Sequence, residues 1–353
     1  MFEPKALSAC LASRVVLAAS LVASCTGPAP RVTAENWPEA DALFHSDPRW
    51  LGADGAYSVD LGRGRFLWLF GDTFLAREPG GTSSDALFLR NTLAVQTGPD
   101  PSRAFMEFSW GVDENGAPRS FVPEDGEDWF WPGGGARVGE ALVIFYARIQ
   151  TPSGDPSGFE AVDWRALVVD DPDDDPSDWV VHDAKLPPHR GDIRPGAAVL
   201  VADDHLYGYA ETGDSTHDVY VSRWTTTNAA AGDLSSPEWW CGGEWSTSCA
   251  DGPAVVMPEA ASELSVQGGG TLAPYIAVES EGYGATTLAL RTAPALEGPW
   301  SDPESFFRPP ESRDGETNVY AGKGHPGLGG ADLVATYVAA DLYYPRFVRV
   351  NIR

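Results

Sequence analysis

One short design recurs five times along this chain: a Gly-rich or acidic start, a strand-like run, a tight turn, and a second strand-like run that ends near a polar residue. The five units are Ala53–Asp72, Gly133–Arg148, Pro195–Glu211, Gly268–Glu279 and Ala321–Asp341. Between residues 46 and 353 no stretch of ten or more residues carries a helical hydrophobic period with caps. We therefore predict an all-β, five-bladed β-propeller with about four antiparallel strands per blade, as one domain over residues 46–353. A pair of β-sandwiches is the alternative.

The first residues predict an exported, lipid-anchored protein. An apolar run over Val15–Ala23 is too short to span a bilayer, and it gives residues 1–24 the form of a bacterial export signal. The sequence Leu-Val-Ala-Ser-Cys that ends at Cys25 resembles the lipobox of bacterial lipoproteins, which implies that Cys25 is lipidated. Residues 25–45 would then be a tether to the cell envelope. If the source has two membranes, Thr26 favours the outer one. An ordinary signal peptide with an incidental cysteine is the alternative.

The charge of the chain limits its partners. The formal net charge is −27, and so acidic a surface argues against nucleic acid or anionic lipid, both of which require cationic side chains. A hydrophobic fraction of 43% with 13 Trp is sufficient for a real core. We expect a monomer that acts on a neutral or cationic polymer and touches a membrane only through its lipid.

The remaining cysteines predict a disulfide. Cys241 and Cys249 lie eight residues apart, and an exported protein meets an oxidising compartment. A metal site is the alternative for this pair. We expect no cofactor. The acidic run Asp170–Asp175 is interpreted as a solvated loop, with a structural calcium ion as its alternative.

Several segments resemble known families. Ala53-Asp54-Gly55-Ala56 followed by RFLWLFGDT resembles the first blade of five-bladed propeller glycosidases, where a catalytic Asp opens the innermost strand. APALEGPWSDP resembles a GPW motif of the same enzymes. The segments DPRWLGADGAYSV, NTLAVQ, GAAVLVADDHLYGYAE, VYVSRW, GKGHPGL and YYPRFVRVNI resemble bacterial exported propellers of unknown function that are related to endo-D-arabinofuranosidases. The resemblance covers nearly all of residues 47–353 and implies the propeller fold, while function depends on the site itself.

Glycoside cleavage needs two carboxyl groups on either side of the scissile bond. Asp54 is the predicted base or nucleophile, and a turn-capping role is its alternative. Where the resembling glycosidases carry a second Asp at the start of blade two, this chain has Gly134. The second carboxylate is therefore left open among four acids: Asp72, Asp128, Glu211 and Glu279.

Five further residues are predicted to contact substrate. Trp129 and Trp131 offer aromatic faces on which sugar rings stack. His325, Lys323 and Asn91 offer hydrogen-bonding groups, although a buried structural role is the alternative for His325.

The prediction for function is an exported glycoside hydrolase that cleaves a polysaccharide, with a furanoside polymer such as D-arabinan as the candidate. No Gly-x-Ser-x-Gly elbow, His-Glu-x-x-His helix or Walker-type loop occurs in the sequence. A non-catalytic carbohydrate-binding lipoprotein on the same fold is the alternative, favoured by Gly134, and a scaffold for protein partners is a third reading.

Overall fold

The computed structural model describes residues 31–353 apart from 156–157, 189–190, 214–215, 282–286 and 313–316. The predicted signal peptide over residues 1–24 and the predicted lipidation site Cys25 lie outside the described residues, so both stay predictions. Within the described ranges, no helix has the length and apolar composition needed to cross a membrane.

Strands dominate the described chain, which confirms the predicted all-β class. In chain order they are β1 (Val32–Asn36), β2 (Trp50–Ala53), β3 (Tyr57–Gly62), β4 (Arg65–Phe70), β5 (Thr73–Leu75), β6 (Leu87–Leu89), β7 (Thr92–Thr97), β8 (Phe105–Ser109), β9 (Gly111–Val112), β10 (Pro118–Arg119), β11 (Trp129–Val138), β12 (Ala141–Gln150), β13 (Glu160–Val169), β14 (Val181–Asp183), β15 (Arg194–Ala202), β16 (His205–Glu211), β17 (Val219–Thr225), β18 (Glu238–Trp240), β19 (Trp245–Ser246), β20 (Leu264–Gly268), β21 (Tyr275–Ser280), β22 (Leu288–Ala293), β23 (Glu304–Phe307), β24 (Val319–Gly324), β25 (Leu333–Ala339) and β26 (Pro345–Ile352). The helices are α1 (Pro38–Asp41) and α2 (Thr226–Ala230), with 3-10 turns over Ala42–His45, Ser83–Asp85 and Pro310–Ser312.

Most strands belong to five antiparallel sheets of four or five strands, which we number in chain order. Sheet 1 is β3-β4-β7-β8, sheet 2 is β11-β12-β13-β14, sheet 3 is β15-β16-β17-β18-β19, sheet 4 is β20-β21-β22-β23, and sheet 5 is β24-β25-β26-β1. Two smaller sheets, β2-β5-β6 and β9-β10, lie in the connections. Neighbouring strands of each large sheet pair antiparallel and follow one another in the sheet, except that the N-terminal β1 adds to sheet 5 beside the C-terminal β26.

The predicted strand pairs coincide with the first two strands of the five large sheets, but the second and fourth units each begin four residues earlier than predicted, and β11 starts at Trp129. The fourth unit begins at Leu264, where β20 starts, and not at Gly268. The run Gly268–Gly270 ends β20 and forms its turn, since the backbone N–H of Gly269 donates to the carbonyl of Pro274 and Gly270 has a φ of +57°. The glycines therefore mark the turn of this hairpin rather than its start.

Buried apolar clusters lie between successive sheets and hold them side by side. The first strands of sheets 1 to 4 each contact the first strand of the next sheet: β3 packs on β11, β11 on β15, β15 on β20 and β20 on β24. Sheet 5 returns to sheet 1 through a cluster that contains Trp68 and Phe70 from β4 and Val334 and Phe347 from β25 and β26. The sheets are thus packed in chain order, with the last against the first.

The folded part of the chain begins earlier than predicted, because residues 32–45 of the expected tether belong to sheet 5 and its core. Strand β1 pairs antiparallel with the C-terminal strand β26, with Val32 opposite Ile352. Phe44 is fully buried and stacks on Phe347 at 4.9 Å between ring centroids. Four apolar side chains of the region predicted as a tether are buried in this core: Trp37, Ala40, Leu43 and Phe44.

Close packing of sheets 2 and 3 explains the glycines at 133–135. A Cβ on Gly133 would lie 2.5 Å from the carbonyl oxygen of Gly196, and one on Gly134 would lie 3.0 Å from the backbone nitrogen of Val199. There is no room at Gly134 for the acid that the resembling glycosidases carry, so a second carboxylate must come from another element.

The predicted disulfide is confirmed. Cys241 and Cys249 are bonded, with a Cα–Cα distance of 5.4 Å, and the bridge closes the loop that contains β19 at the edge of sheet 3.

Candidate active site

Asp54 stands where the small sheet β2-β5-β6 passes into sheet 1. Its backbone N–H donates to the carbonyl of Asp72 at 3.3 Å, and its carbonyl accepts from the N–H of Gly71 at 3.0 Å. A Cβ on Gly71 would lie 2.4 Å from Oδ1 of Asp54, so the missing side chain at Gly71 leaves the space that the carboxyl group uses. Gly55 and Ala56 continue the turn with φ of +80° and 57°, after which β3 begins.

Burial and four neighbouring residues act on the pKa of Asp54. Its Oδ2 accepts from the hydroxyls of Tyr343 at 3.1 Å and Tyr320 at 3.3 Å. Burial, and then the negative charges of Glu263 and Asp72, raise the pKa of Asp54 to about 8, although the two tyrosine hydrogen bonds act in the opposite direction. The residue as a whole is partly exposed.

Glu263 is the carboxylate that the sequence analysis missed. It stands directly before β20, at the head of the first strand of sheet 4, and its side chain is 31% exposed. Its Oε2 accepts from Nζ of Lys323 at 2.7 Å. Among the charges that raise the pKa of Asp54, Glu263 has the largest effect, which makes it the principal charged neighbour of Asp54 from a different sheet.

Lys323 connects sheet 5 to the heads of sheets 1 and 4. Its side chain is 1% exposed, and its ammonium donates to Glu263 and to the carbonyls of Gly55 and Ala321. Its Nζ also lies 4.3 Å from the ring centroid of Tyr57. Burial lowers the pKa of Lys323, and the charge of Glu263 opposes that shift. Because its three N–H groups are all in use, the geometry gives Lys323 a positioning role and does not support the predicted contact with substrate.

Asp72 lies on the other side of Asp54, in a polar and aromatic setting. Its Oδ1 accepts from Nε1 of Trp131 at 2.8 Å, and Nη1 of Arg90 lies 3.4 Å from both carboxyl oxygens. Burial raises the pKa of Asp72, while Trp131 and Arg90 lower it in part. The guanidinium of Arg90 in turn lies 4.1 Å from the ring centroid of Trp129, which is buried. Of the predicted second carboxylates, Asp72 is the one whose charge acts on Asp54.

Glu211 lies at the head of sheet 3, next to a buried arginine. Arg194 opens β15 opposite Glu211, and the two side chains are 3.7 Å apart and 8% and 14% exposed. Burial has the largest effect on the pKa of Tyr57, followed by the negative charges of Glu263 and Glu211, and all three raise it. Because Tyr57 begins β3 close to Asp54, Glu211 lies at the same end of the sheets as Asp54. Its carboxylate is held by Arg194 and by the backbone N–H of Gly213.

The remaining predicted acids are held away from Asp54. Glu279 forms a buried ion pair with Nε of Arg291 at 2.7 Å and accepts from the N–H of Ala261. Asp128 pairs with Nε of Arg148 at 2.7 Å. Neither acid acts on the pKa of Asp54, so their positions do not support a catalytic role.

His325 and Asn91 are both buried in contacts within the protein. His325 is 1% exposed; its Nδ1 lies 2.8 Å from Oγ of Ser58 and its Nε2 lies 2.8 Å from Oγ1 of Thr336. Burial, and then the charge of Lys323, hold the pKa of His325 well below its usual value, so the ring is neutral and joins sheet 1 to sheet 5. Asn91 is 2% exposed, and its amide bonds to the backbone of Val122 and Phe130. These positions do not support the predicted substrate contacts.

In the described part of the chain, no group of three or more His, Cys, Asp or Glu side chains could hold a metal ion. Within the acidic run Asp170–Asp175, Asp173 pairs instead with Arg137 at 2.6 Å.

Comparisons with known proteins were made against families, curated sequences and solved structures. A family model described as "Domain of unknown function (DUF5005)" matches residues 39–352. None of the curated proteins matches the sequence. The crystal structure of a candidate hydrolase from Bacteroides ovatus ATCC 8483 is similar over 90% of both chains, with a TM-score of 0.68 and 19% identity, which shows a shared fold.

Two carbohydrate-active enzymes are similar at lower scores. An exo-β-1,3-galactanase from Phanerochaete chrysosporium, solved with β-1,3-galactotriose, gives a TM-score of 0.49 at 15% identity over 91% of this chain and 63% of that one. The GH43_1 enzyme from Xanthomonas citri, complexed with xylose, gives 0.46 at 13% identity over 90% and 93%. Scores of this size add nothing to the assignment of the fold.

Proposed function

Because the chain belongs to the family described as a domain of unknown function (DUF5005), we propose its function from its own site: hydrolysis of a glycosidic bond in a polysaccharide. Asp54 would be the proton donor and Glu263 the carboxylate that faces it. The observation that carries this proposal is the proximity of three carboxyl groups: Asp54 lies close enough to Glu263 and Asp72 that their charges, after burial, raise its pKa to about 8. An acid that is still protonated at neutral pH beside ionised partners is what glycoside cleavage requires.

The proton of Asp54 would go to the leaving oxygen of the substrate. The hydroxyls of Tyr320 and Tyr343 bind Oδ2, which fixes the plane of the carboxyl group and leaves Oδ1 toward Gly71. The resemblance to propeller glycosidases implied a base or nucleophile at this position. The raised pKa favours the donor role, because a base must be ionised at the working pH.

Glu263 would act on the opposite face of the sugar, as base toward a water molecule or as nucleophile toward the anomeric carbon. It comes from sheet 4 while Asp54 comes from sheet 1, so the two groups approach from different sides. The ammonium of Lys323 holds one oxygen of Glu263 through a charge-assisted hydrogen bond. The other oxygen is left for the reaction.

The proposal extends to the propeller arrangement of the sheets, the class of substrate and the cellular location of the protein. We treat the five large sheets as the blades of a propeller, with the candidate site at the end where their first strands begin. The substrate proposed is a neutral polysaccharide, with the furanoside polymer D-arabinan first among those to be tested. The export signal over residues 1–24 and the lipobox that ends at Cys25 support an enzyme attached to the cell envelope.

The test is release of reducing ends from D-arabinan, L-arabinan, xylan and β-1,3-galactan by wild type and by Asp54→Asn. Wild type is expected to cleave at least one of these, and Asp54→Asn is expected to lose about 10²- to 10⁴-fold in kcat. Asp60→Asn, at an exposed acid on the same strand β3, is the matched control and should leave the rate unchanged. Equal rates for wild type and Asp54→Asn would remove Asp54 from the mechanism. Binding without cleavage would favour the non-catalytic lipoprotein.

The pH profile gives a separate prediction. As proton donor, Asp54 supports activity below its pKa of about 8, and kcat falls as pH rises through that value. The negative charge of Asp72 contributes to the raised pKa, so Asp72→Asn should lower the pKa of Asp54 and move the alkaline limb of the kcat profile to lower pH, by about half a unit to one unit. Asn keeps an oxygen that can accept from Trp131.

The control for this shift is Asp128→Asn. Asp128 is paired with Arg148 and does not act on the pKa of Asp54, so the alkaline limb should stay in place. A limb that stays in place in Asp72→Asn, or that moves to higher pH, would contradict the assignment of Asp54 as the donor.

A further inference from the structure

Exposed aromatic rings adjoin the Oδ1 edge of the Asp54 carboxyl group. Gly71 lies between that oxygen and Trp131, since a Cβ on Gly71 would be 2.4 Å from Oδ1 and 3.8 Å from Cδ1 of the indole ring. Trp131 is half-buried and meets Phe159 edge to face, with 4.7 Å between ring centroids. Phe159 is 61% exposed, so its ring is accessible to a ligand. We call Trp131 and Phe159 the first platform.

A second set of aromatic rings adjoins the other edge of the same carboxyl group. Tyr343, whose hydroxyl binds Oδ2 of Asp54, packs on Phe74 at 5.3 Å between ring centroids. Phe74 lies directly opposite Phe88 on the paired strands β5 and β6, and their rings are also 5.3 Å apart. Phe88 is 46% exposed. We call Tyr343, Phe74 and Phe88 the second platform.

The charges between the platforms indicate what they bind. Arg90 lies over the Phe88 ring at 4.9 Å and over the Trp129 ring at 4.1 Å, but its charge is already paired with Asp72. The ammonium of Lys323 is likewise paired, with Glu263, and the chain as a whole carries a formal net charge of −27. An anionic polymer would be repelled there, whereas the apolar faces of neutral sugar rings stack well on aromatic side chains.

From this arrangement we infer that one neutral polysaccharide chain lies across both platforms at once, with Asp54 between them. Sugar rings on either side of the reacting bond would stack on the first and the second platform respectively. The bond that is cleaved is then inside the chain, so the first products are oligosaccharides rather than single sugars. The inference rests on the proposed function for the cleavage step, and its binding step can be tested without cleavage.

The test uses the Asp54→Asn protein as an inactive binder, in affinity electrophoresis through gels that contain each of the four polysaccharides named above. Phe88→Ala and Phe159→Ala, each added to Asp54→Asn, should raise the apparent Kd for the retarding polysaccharide by about 3- to 10-fold. Phe105→Ala is the matched control, because Phe105 has the same 61% exposure as Phe159 but lies on β8, the far strand of sheet 1. It should leave the Kd unchanged.

Each outcome decides the inference. A weaker retardation in both platform variants, with none in Phe105→Ala, supports a chain bound across the site. No retardation by any of the four polysaccharides, or a loss in only one platform variant, would overturn it. If both variants weaken binding while wild type cleaves nothing, the two-platform site stands and the proposed hydrolysis fails. If wild type cleaves the polysaccharide but releases only single sugars from the start, the inference that one chain lies across both platforms is wrong.

Discussion

Glu263→Gln is expected to reduce kcat for polysaccharide hydrolysis by about 10²- to 10⁴-fold, as much as loss of Asp54 itself. The substitution keeps the size of the side chain and an oxygen that can accept from Lys323, but it removes the negative charge that would activate water or attack the sugar. The measurement is kcat on the best polysaccharide. Added azide, a small anion that can occupy the space of a lost carboxylate, should restore part of the rate in the truncated variant Glu263→Ala.

Two controls separate chemistry from folding in this experiment. Glu259→Gln changes an exposed acid four residues earlier in the chain and should keep full activity. Glu263→Gln leaves the buried ammonium of Lys323 without its anionic partner, so thermal unfolding is followed in parallel, and Glu263→Gln/Lys323→Met removes both charges together. Activity at the level of Glu259→Gln in a folded Glu263→Gln protein would show that the second carboxylate is another residue.

Glu279→Ala is expected to lower the free energy of unfolding by about 3 to 5 kcal/mol, because it leaves the buried guanidinium of Arg291 unpaired. The two side chains are 2% and 3% exposed and lie 2.7 Å apart. The pair also fastens the segment that leads to Glu263: Arg291 donates to the carbonyls of Pro258 and Glu259, and Glu279 accepts from Ala261. We therefore expect the folded fraction to lose activity as well, through misplacement of Glu263.

The measurement is urea unfolding at neutral pH, with Glu35→Ala as the control. Glu35 pairs with Arg349 at the same distance of 2.7 Å, but these side chains are 60% and 38% exposed, and exposed pairs contribute about 0–1 kcal/mol. Equal losses in the two variants would mean that burial of the Glu279–Arg291 pair does not matter. Full stability with lost activity in Glu279→Ala would instead return Glu279 to the catalytic candidates.

Local sequence predicted the elements of this fold because their signals are local. Alternation of apolar residues and the turn Gly62-Arg63-Gly64 identify the first hairpin, and the structure has all three turn residues at positive φ. The cysteine spacing identified the disulfide. The start of the fold was misread, since β1 is recognisable only by its partner β26, more than three hundred residues away.

The same distinction explains the candidate site. Asp54 was found from the sequence because its own turn and the following strand mark it. Glu263 was missed because the first strand of the fourth unit was predicted to begin at Gly268. The strand in fact begins at Leu264, directly after Glu263. Likewise, nothing local distinguishes Lys323 as the cation between Asp54 and Glu263 from a lysine on the surface.

The sequence by itself thus determined the all-β class, the hairpin turns, the disulfide and the location of Asp54 in the turn before β3. The tertiary structure alone decided what faces Asp54. The carboxylate of Glu263 is brought to it across 209 positions of the chain by sheets packed in order, with sheet 5 placing Lys323 between sheets 4 and 1. The charges of Glu263 and Asp72 then add to burial in raising the pKa of Asp54. These effects depend on distance and solvent exclusion, and neither is encoded in the residues next to Asp54.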